Sequence, residues 1–252
     1  MIWQLEGAGD VKKGHVQGFA PSASGFRFAN SFPPEPVLAM GVGRRRLGIG
    51  NASKGLCGGM VFAARDLFEA GIPPPPATEP PAGGSPLFRY VVRRLFHSFD
   101  LPVGPARYMA WMVLPSGEGR FGLRGVAGRT LGREWPLVRR DLDRGVLSPI
   151  GLVRVHSFNP LELGRNHQVL AYGYELDTRS DRVTISVYDP NHPGDDGLAL
   201  SFSLKPGPDW EVAYVPGELP VRGFFRTRFR PVDRGSLARL RMIVGFDRSD
   251  AR

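Results

Sequence analysis

The spacing of apolar residues divides the chain into a helical first half and a strand-rich second half. Apolar positions at helical spacing predict a helix from about Cys57 to Glu69, with Gly71 as its C-terminal cap. Two further amphipathic segments predict helices over residues 87–98 and 135–144. Beyond residue 148 the apolar residues recur at alternate positions. That pattern predicts strands over residues 149–156, 168–176, 182–188, 198–204 and 211–215.

Three shorter segments are less regular. Residues 25–32 alternate as a short strand does, and residues 240–246 also suggest a strand. Residues 222–231 interleave arginine with phenylalanine, a pattern that could stack nucleobases but more often marks a strand with a buried aromatic face.

Helices followed by strands predict an α+β fold. We expect residues 1–45 to be an N-terminal extension or a strand segment packed on the core. Residues 46–252 then form one domain, with a helical lobe over about 46–147 and a β lobe over about 148–252.

The chain is strongly basic, with a net charge of +9, and only four of its 33 basic residues are lysine. Excess positive charge favours anionic partners, so nucleic acid or an anionic surface is a possible partner. The arginines are dispersed along the chain, however, which favours a solvated surface over a dedicated nucleic-acid patch.

The 252 residues contain a single cysteine, which excludes an internal disulfide framework and a zinc site built from several thiolates. No apolar run has the length of a transmembrane helix, and the first residues lack the pattern of a secretory signal. A reduced, cytoplasmic setting is therefore the default expectation, with export by a leaderless route as the alternative. No feature of the sequence specifies an oligomeric state.

The lone cysteine, Cys57, lies where the first predicted helix begins. Unpaired N–H groups and the positive end of the helix dipole favour the thiolate there, which is the nucleophilic form. Gly58 and Gly59 follow it, although each costs about 1 kcal/mol of helix propensity relative to alanine. Close approach of a substrate backbone is one gain that offsets this cost. The alternative is that Cys57 is a small buried apolar residue.

A base and a carboxylate follow later in the chain. His167 opens one predicted strand and Asp189 ends the next. If these strands form an antiparallel hairpin with its turn over residues 177–181, Asp189 lies close to His167 and can orient the imidazole. Asp189 also fits a turn signal together with the residues after it. His192 is less suitable as the base, because it lies beyond the strand and precedes a proline.

These segments resemble the papain-like cysteine peptidases, and most closely the bacterial branch that includes bacteriocin-leader peptidases. The likeness rests on Cys57 ahead of a helix, on His167-Gln-Val-Leu-Ala-Tyr-Gly-Tyr and on Tyr188-Asp-Pro-Asn. It implies a papain-like fold and peptide or protein substrates. It also implies that Asn51, six positions before the cysteine, helps to bind the oxyanion, where the family mostly has glutamine. Gly58, Gly59 and Gln168 are then expected near the oxyanion and substrate.

The expected chemistry is attack of the Cys57 thiolate on an amide carbonyl, with His167 moving the proton and Asp189 orienting His167. Peptide hydrolysis is the first hypothesis. The alternatives are acyl or amide transfer on the same architecture, and a catalytically silent basic binding module. We expect no cofactor and no catalytic metal. The segment after Asp189 lacks the ligands of an EF-hand, which leaves only an irregular cation site at Asp195 and Asp196 as an alternative.

Overall fold

A computed structural model describes most of the chain and shows an α+β fold. The described residues are 10–33, 38–42, 45–49, 55–100, 103–117, 125–207, 209–215 and 221–245. Asn51 lies outside them. Within these residues, no helix combines the length and the apolar character needed to cross a membrane.

Helices occupy the first half of the described chain, and most strands lie in the second half. The α-helices are α1 (Pro21–Ser24), α2 (Cys57–Glu69), α3 (Pro86–Phe99), α4 (Val103–Met112), α5 (Val126–Arg129), α6 (Trp135–Asp143) and α7 (Arg234–Val244). A π-helical turn (Thr130–Glu134) joins α5 to α6, and a 3₁₀ helix (Pro160–Arg165) precedes the longest strand. The strands are β1 (Val11–His15), β2 (Leu38–Val42), β3 (Arg45–Ile49), β4 (Ser148–Val153), β5 (His167–Asp177), β6 (Arg182–Tyr188), β7 (Ala199–Ser203), β8 (Ala213–Val215) and β9 (Gly223–Arg226).

Seven of the described strands form one antiparallel sheet in the order β8-β7-β6-β5-β4-β9, and β1 also pairs with β5. β5 is long enough for its first half to pair with β4 and its second half with β1. The predicted hairpin is confirmed, since β5 and β6 pair from Leu170↔Tyr188 to Asp177↔Arg182. The N-terminal residues 10–33 thus contribute a strand to the main sheet.

The helix that carries the cysteine is confirmed with its predicted bounds. α2 ends as Gly71 adopts a left-handed conformation (φ +62°), which suits glycine. The two other predicted helices correspond to α3 and α6. α2 packs against both α3 and β5, and its residues 58–67 are all buried.

Two strand predictions are wrong. Residues 25–32 bury alternate phenylalanines, as a strand would, but form no ladder: the Phe26 N–H donates to the Tyr188 hydroxyl and the Asn30 N–H to the Pro190 carbonyl. Residues 240–244 belong to α7 instead of a strand. The Asp233 carboxylate accepts from the Ser236 N–H at the start of that helix. A short apolar run is compatible with a helix or a strand, and this N-cap favours the helix.

The arginine- and phenylalanine-rich segment forms a strand only over Gly223–Arg226, and its two adjacent phenylalanines are buried on opposite faces of that strand. Phe224 and Phe225 in β9 are buried in the core, and the Arg222 guanidinium donates to backbone carbonyls that include Leu114 O. These phenylalanine rings are therefore not available to stack on nucleobases.

A buried ionic group joins α2 to α3. The Arg94 guanidinium lies 2.7 Å from the Asp66 carboxylate, which also accepts a hydrogen bond from the Tyr90 hydroxyl (2.8 Å). Burial raises the pKa of Asp66 to about 6, although Arg94 opposes the shift. Because this pKa lies above the ordinary value of 3.8, the contribution of Asp66 to stability is full below pH 3.8. It is lost as the pH rises through 6.

We expect Arg94→Met to lower the free energy of unfolding by about 3–5 kcal/mol at pH 8, because it leaves a buried carboxylate without its cation. The loss should be clearly smaller at pH 5, where Asp66 is mostly protonated. Urea unfolding at the two pH values measures both effects. Arg93→Met, at the exposed neighbouring position of α3, is the matched control and should change stability little. An equal loss at both pH values would contradict this assignment.

Candidate active site

Cys57 is the first residue of α2 and is partly exposed. The residue before it, Leu56, occupies the N-cap position, so no side chain caps the N–H groups of the first turn. That turn also contains no acidic residue. The positive end of the helix dipole is therefore left to stabilise a negative charge on the Cys57 sulfur.

His167 begins β5 beside Cys57. Its Nε2–H donates to Asp189 Oδ1 at 2.7 Å, so the second ring nitrogen, Nδ1, is the one available to the thiol. Cys57, His167 and Gln168 line the same cavity, and Cys57 and His167 lie close enough for each to shift the pKa of the other. The structure thus brings together Cys57, His167 and Asp189 in the order in which a nucleophile, its base and an orienting carboxylate are needed.

The Asp189 carboxylate is buried and accepts hydrogen bonds from three groups. Besides His167, these are the Asn191 N–H at Oδ1 (2.7 Å) and the Tyr214 hydroxyl at Oδ2 (2.5 Å). Burial alone would raise the pKa of Asp189, but His167 and these donors lower it. The carboxylate is therefore ionised beside the imidazole.

The charges of the three side chains support one another. Burial would raise the pKa of the Cys57 thiol, but the His167 charge, its hydrogen bond and the Gln168 N–H lower it below that of an ordinary thiol. Burial also disfavours a charged His167, yet the Cys57 thiolate and Asp189 raise the pKa of His167 to about 10. Both shifts favour a thiolate beside an imidazolium over the neutral pair.

Asn30 ties the N-terminus of α2 to the segment that follows β6. Its side-chain Oδ1 accepts from the Leu56 N–H at 2.6 Å, and its Nδ2 donates to Asn191 Oδ1 at 3.1 Å. Its own N–H donates to Pro190 O at 2.8 Å. One residue of the N-terminal segment therefore fixes the distance between the nucleophile helix and the carboxylate segment.

Tyr108 supports the base from the other side. Its hydroxyl donates to the His167 carbonyl at 3.1 Å. Burial and the nearby Cys57 raise the pKa of Tyr108, so this hydroxyl stays protonated and keeps donating. α4 thus holds the first residue of β5 in place.

A cavity of about 260 Å³ opens beside Cys57 and His167. Cys57, His167 and Gln168 line it, and most of the other lining residues are apolar. The remaining lining residues that matter here are Leu95, Phe99, Pro105, Tyr108 and Leu163.

The other predicted site residues differ in whether they line this cavity. Gln168 lines the cavity, and its side-chain Nε2 donates weakly to Ser98 Oγ (3.4 Å). Gly58 and Gly59 do not line it. A Cβ on Gly59 would lie 2.2 Å from the Val91 carbonyl oxygen, and one on Gly58 would lie 2.3 Å from Ser98 Oγ. The glycine pair therefore allows α2 to approach α3, and this packing accounts for both glycines without a substrate.

Sequence reasoning missed Asn30, Tyr108, Asn191 and Tyr214. Asn191 stands two residues after Asp189, so an Asx-type turn at that aspartate could have pointed to its N–H. The others come from distant segments, and no local pattern marks them. The His192 backbone N–H donates to the Asp189 carbonyl, whereas the His167 ring donates to the Asp189 carboxylate.

Within the described residues no group of three histidine, cysteine, aspartate or glutamate side chains is placed to hold a metal ion. The Asp196 carboxylate accepts from the Ser22 N–H and hydroxyl (2.9 and 2.6 Å), so it serves as a tether for α1. The Asp195 carboxylate accepts from the Gly197 N–H within its own turn.

Comparison with known proteins gives no relative: no family model, curated protein or solved structure matches the chain.

We expect Tyr214→Phe to raise the pH at which the Cys57 thiolate forms, by up to about one unit, because Asp189 loses a donor and stabilises the imidazolium less well. The ultraviolet absorbance of the thiolate, followed against pH, measures this shift. Tyr172→Phe is the matched control, since that hydroxyl donates to the Asp196 carbonyl, which is not part of the triad. Equal shifts in both variants would argue against a specific role for Tyr214.

Proposed function

We propose that the chain is a cysteine-dependent hydrolase that cleaves amide bonds, with peptides or proteins as its substrates. One observation carries the proposal. Cys57 and His167 lie side by side at an open cavity, where each shifts the pKa of the other, and the His167 Nε2–H donates to the Asp189 carboxylate at 2.7 Å.

The reaction divides into two steps with one covalent intermediate. The Cys57 thiolate attacks the amide carbonyl and forms a C–S bond, and the imidazolium of His167 gives its proton to the leaving amine as the C–N bond breaks. In the second step neutral His167 takes a proton from water, which attacks the thioester. The C–S bond breaks, the acid leaves and the thiolate–imidazolium pair is restored.

The tetrahedral oxyanion is assigned to the N–H groups at the start of α2, which Leu56 leaves uncapped. The side chain of Asn51 is the second donor that the sequence predicts. The Asp189 carboxylate does not take part in bond formation. It holds the tautomer in which Nδ1 of His167 faces the sulfur.

A papain-like assignment for this fold is part of the proposal. It is supported by a cysteine that opens a helix, a histidine at the start of the strand packed against that helix, and an aspartate at the end of the neighbouring strand. Acyl transfer differs only in the group that attacks the thioester. Amine-trapped products in place of free acid would therefore identify a transferase with the same residues.

Alkylation by iodoacetamide tests the nucleophile. We expect the rate at Cys57 to rise well below the pH of about 8.5 at which an ordinary thiol ionises, and His167→Ala to move this rise to or above that value. His156→Ala is the control, since the His156 ring lies beside Phe158 with the ring centroids 6.2 Å apart, and this variant should leave the profile unchanged. A shared profile for wild type and His167→Ala would remove the proposal.

Hydrolysis should also decline at high pH, because His167 loses its proton near its pKa of about 10 and can no longer protonate the leaving amine. Alkylation of Cys57 needs no proton donor and should stay fast there. A fall in hydrolysis without a fall in alkylation at high pH would show that His167 also protonates the leaving amine, besides activating the Cys57 thiol.

The cavity indicates which group lies beside the scissile bond. Apart from Cys57 and His167 themselves, none of the side chains lining it carries a charge, and most are apolar. Its volume of about 260 Å³ is slightly below the roughly 300–1,000 Å³ typical of small-molecule sites, so it suits a single apolar side chain. We therefore expect a substrate with an uncharged apolar residue next to the amide that is cleaved.

N-substituted iodoacetamides test this preference without requiring turnover. An N-butyl probe should alkylate Cys57 with saturation and faster than iodoacetamide, whereas a probe of equal length ending in a carboxylate should not. Leu163→Gln makes the cavity more polar and should lower the ratio of the N-butyl rate to the iodoacetamide rate about tenfold. Leu161→Gln on the same 3₁₀ helix is the control, because Leu161 is 83% exposed and does not line the cavity. Equal rates for the two probes would contradict an apolar subsite.

A further inference from the structure

A second cavity, of about 520 Å³, lies between α4 and the π-helical turn, and it has no part in the proposed hydrolysis. Ala110, Trp111, Val113 and Leu114 supply an apolar surface. The charged residues that line it are Arg107, Arg129, Arg133 and Glu134.

The single carboxylate in this cavity is already engaged. Glu134 is 1% exposed, and it accepts hydrogen bonds from the Arg107 guanidinium (2.6 Å) and the Arg226 N–H (3.0 Å). Arg107 and Arg133 both lie within ion-pair distance of this one carboxylate, so the two guanidinium groups leave an excess of positive charge at the cavity. A concave surface with this excess raises the local concentration of anions.

Arg107 is held rigidly. Its guanidinium lies 4.3 Å from the centre of the Phe225 ring and donates to the Arg226 carbonyl at 2.9 Å, in addition to Glu134. Arg133, by contrast, is 78% exposed and lies 3.7 Å from Glu134. The cavity therefore combines one fixed cation with an arginine at its edge that can adjust to a ligand.

The backbone at this cavity is unusual. Residues Thr130–Glu134 form a π-helical turn, and Glu134 and Arg133 both project from it. Such turns are rare, and they occur frequently at functional sites. This observation is independent of the charges and points to the same place.

We propose that this cavity binds a small molecule in which a phosphate or carboxylate group is attached to an apolar, preferably aromatic, body. Guanidinium groups recognise both anions through paired hydrogen bonds, and the Trp111 side of the cavity covers the apolar part. The volume falls within the range of small-molecule sites.

Isothermal titration calorimetry with four probes tests the chemical class. Phenyl phosphate and benzoate carry both features, inorganic phosphate carries only the charge, and benzyl alcohol carries only the ring. We expect at least one of the first two to bind about tenfold or more tighter than either single-feature probe. The stronger of the two distinguishes a phosphate from a carboxylate ligand. Binding that is equal for phenyl phosphate and inorganic phosphate would overturn the apolar half of the proposal.

Variants at the exposed residue Ala110 locate the site without disturbing the core. Ala110→Glu places a negative charge in the cavity and should weaken binding about tenfold or more, whereas Ala110→Gln, of equal size, should weaken it far less. Arg133→Gln should also weaken binding. Arg140→Gln removes the same charge at an exposed position of α6 outside the cavity and should not.

Equal binding by wild type and Ala110→Glu, or equal losses in Arg133→Gln and Arg140→Gln, would show that the probes respond only to the overall charge of the protein and would overturn the proposal. Cys57→Ala should bind the probes like wild type. This outcome separates the anion site from the hydrolase, since a failure of either assignment leaves the other measurable.

Discussion

The close approach of α2 to α3 is the constraint on which the site depends. Gly59 lies against the Val91 backbone at a distance that no side chain permits, and Gly58 lies against Ser98 and the Gln168 side chain. Gln168 is the neighbour of His167 on β5, so the same contact that packs the helices also sets the separation between thiol and imidazole. Glycine costs helix propensity at the first turn, and the packing of this turn offsets that cost.

α2 carries one ionisable group near its start, Cys57, and another further along, Asp66, and their charged forms are stabilised in different ways. At its start, the Cys57 thiolate uses the helix dipole, His167 and the Gln168 N–H. Further along, Asp66 lies against Arg94 and Tyr90, which come from α3. Losing one partner of either group leaves a charge without its counter-charge away from water. Both groups therefore require the position of α2 to be fixed against its neighbours.

Local patterns specify the elements that carry the triad, but not the contacts that align them. Apolar periodicity and the Gly71 cap predict α2, and alternation with a turn over residues 177–181 predicts the hairpin that brings Asp189 to His167. Asn30 accepts a hydrogen bond from Leu56, 26 residues away in sequence, and Tyr214 donates one to Asp189, 25 residues away. No pattern within a single element encodes such pairs. The same gap explains residues 25–32: their alternate burial is real, but the ladder that defines a strand depends on a partner elsewhere in the chain.

α4 links the two cavities. Tyr108 and Pro105 line the one beside Cys57, while Arg107, Ala110 and Trp111 line the other. Because adjacent residues on a helix point about 100° apart, one short helix can present both surfaces. The Tyr108 hydroxyl donates a hydrogen bond to the His167 carbonyl. The preceding residue, Arg107, forms an ion pair with Glu134 and donates to the carbonyl of Arg226 in β9. A ligand that binds Arg107 would therefore contact the same helix that holds the first residue of β5. The two cavities thus share a structural element, although they share no lining residue.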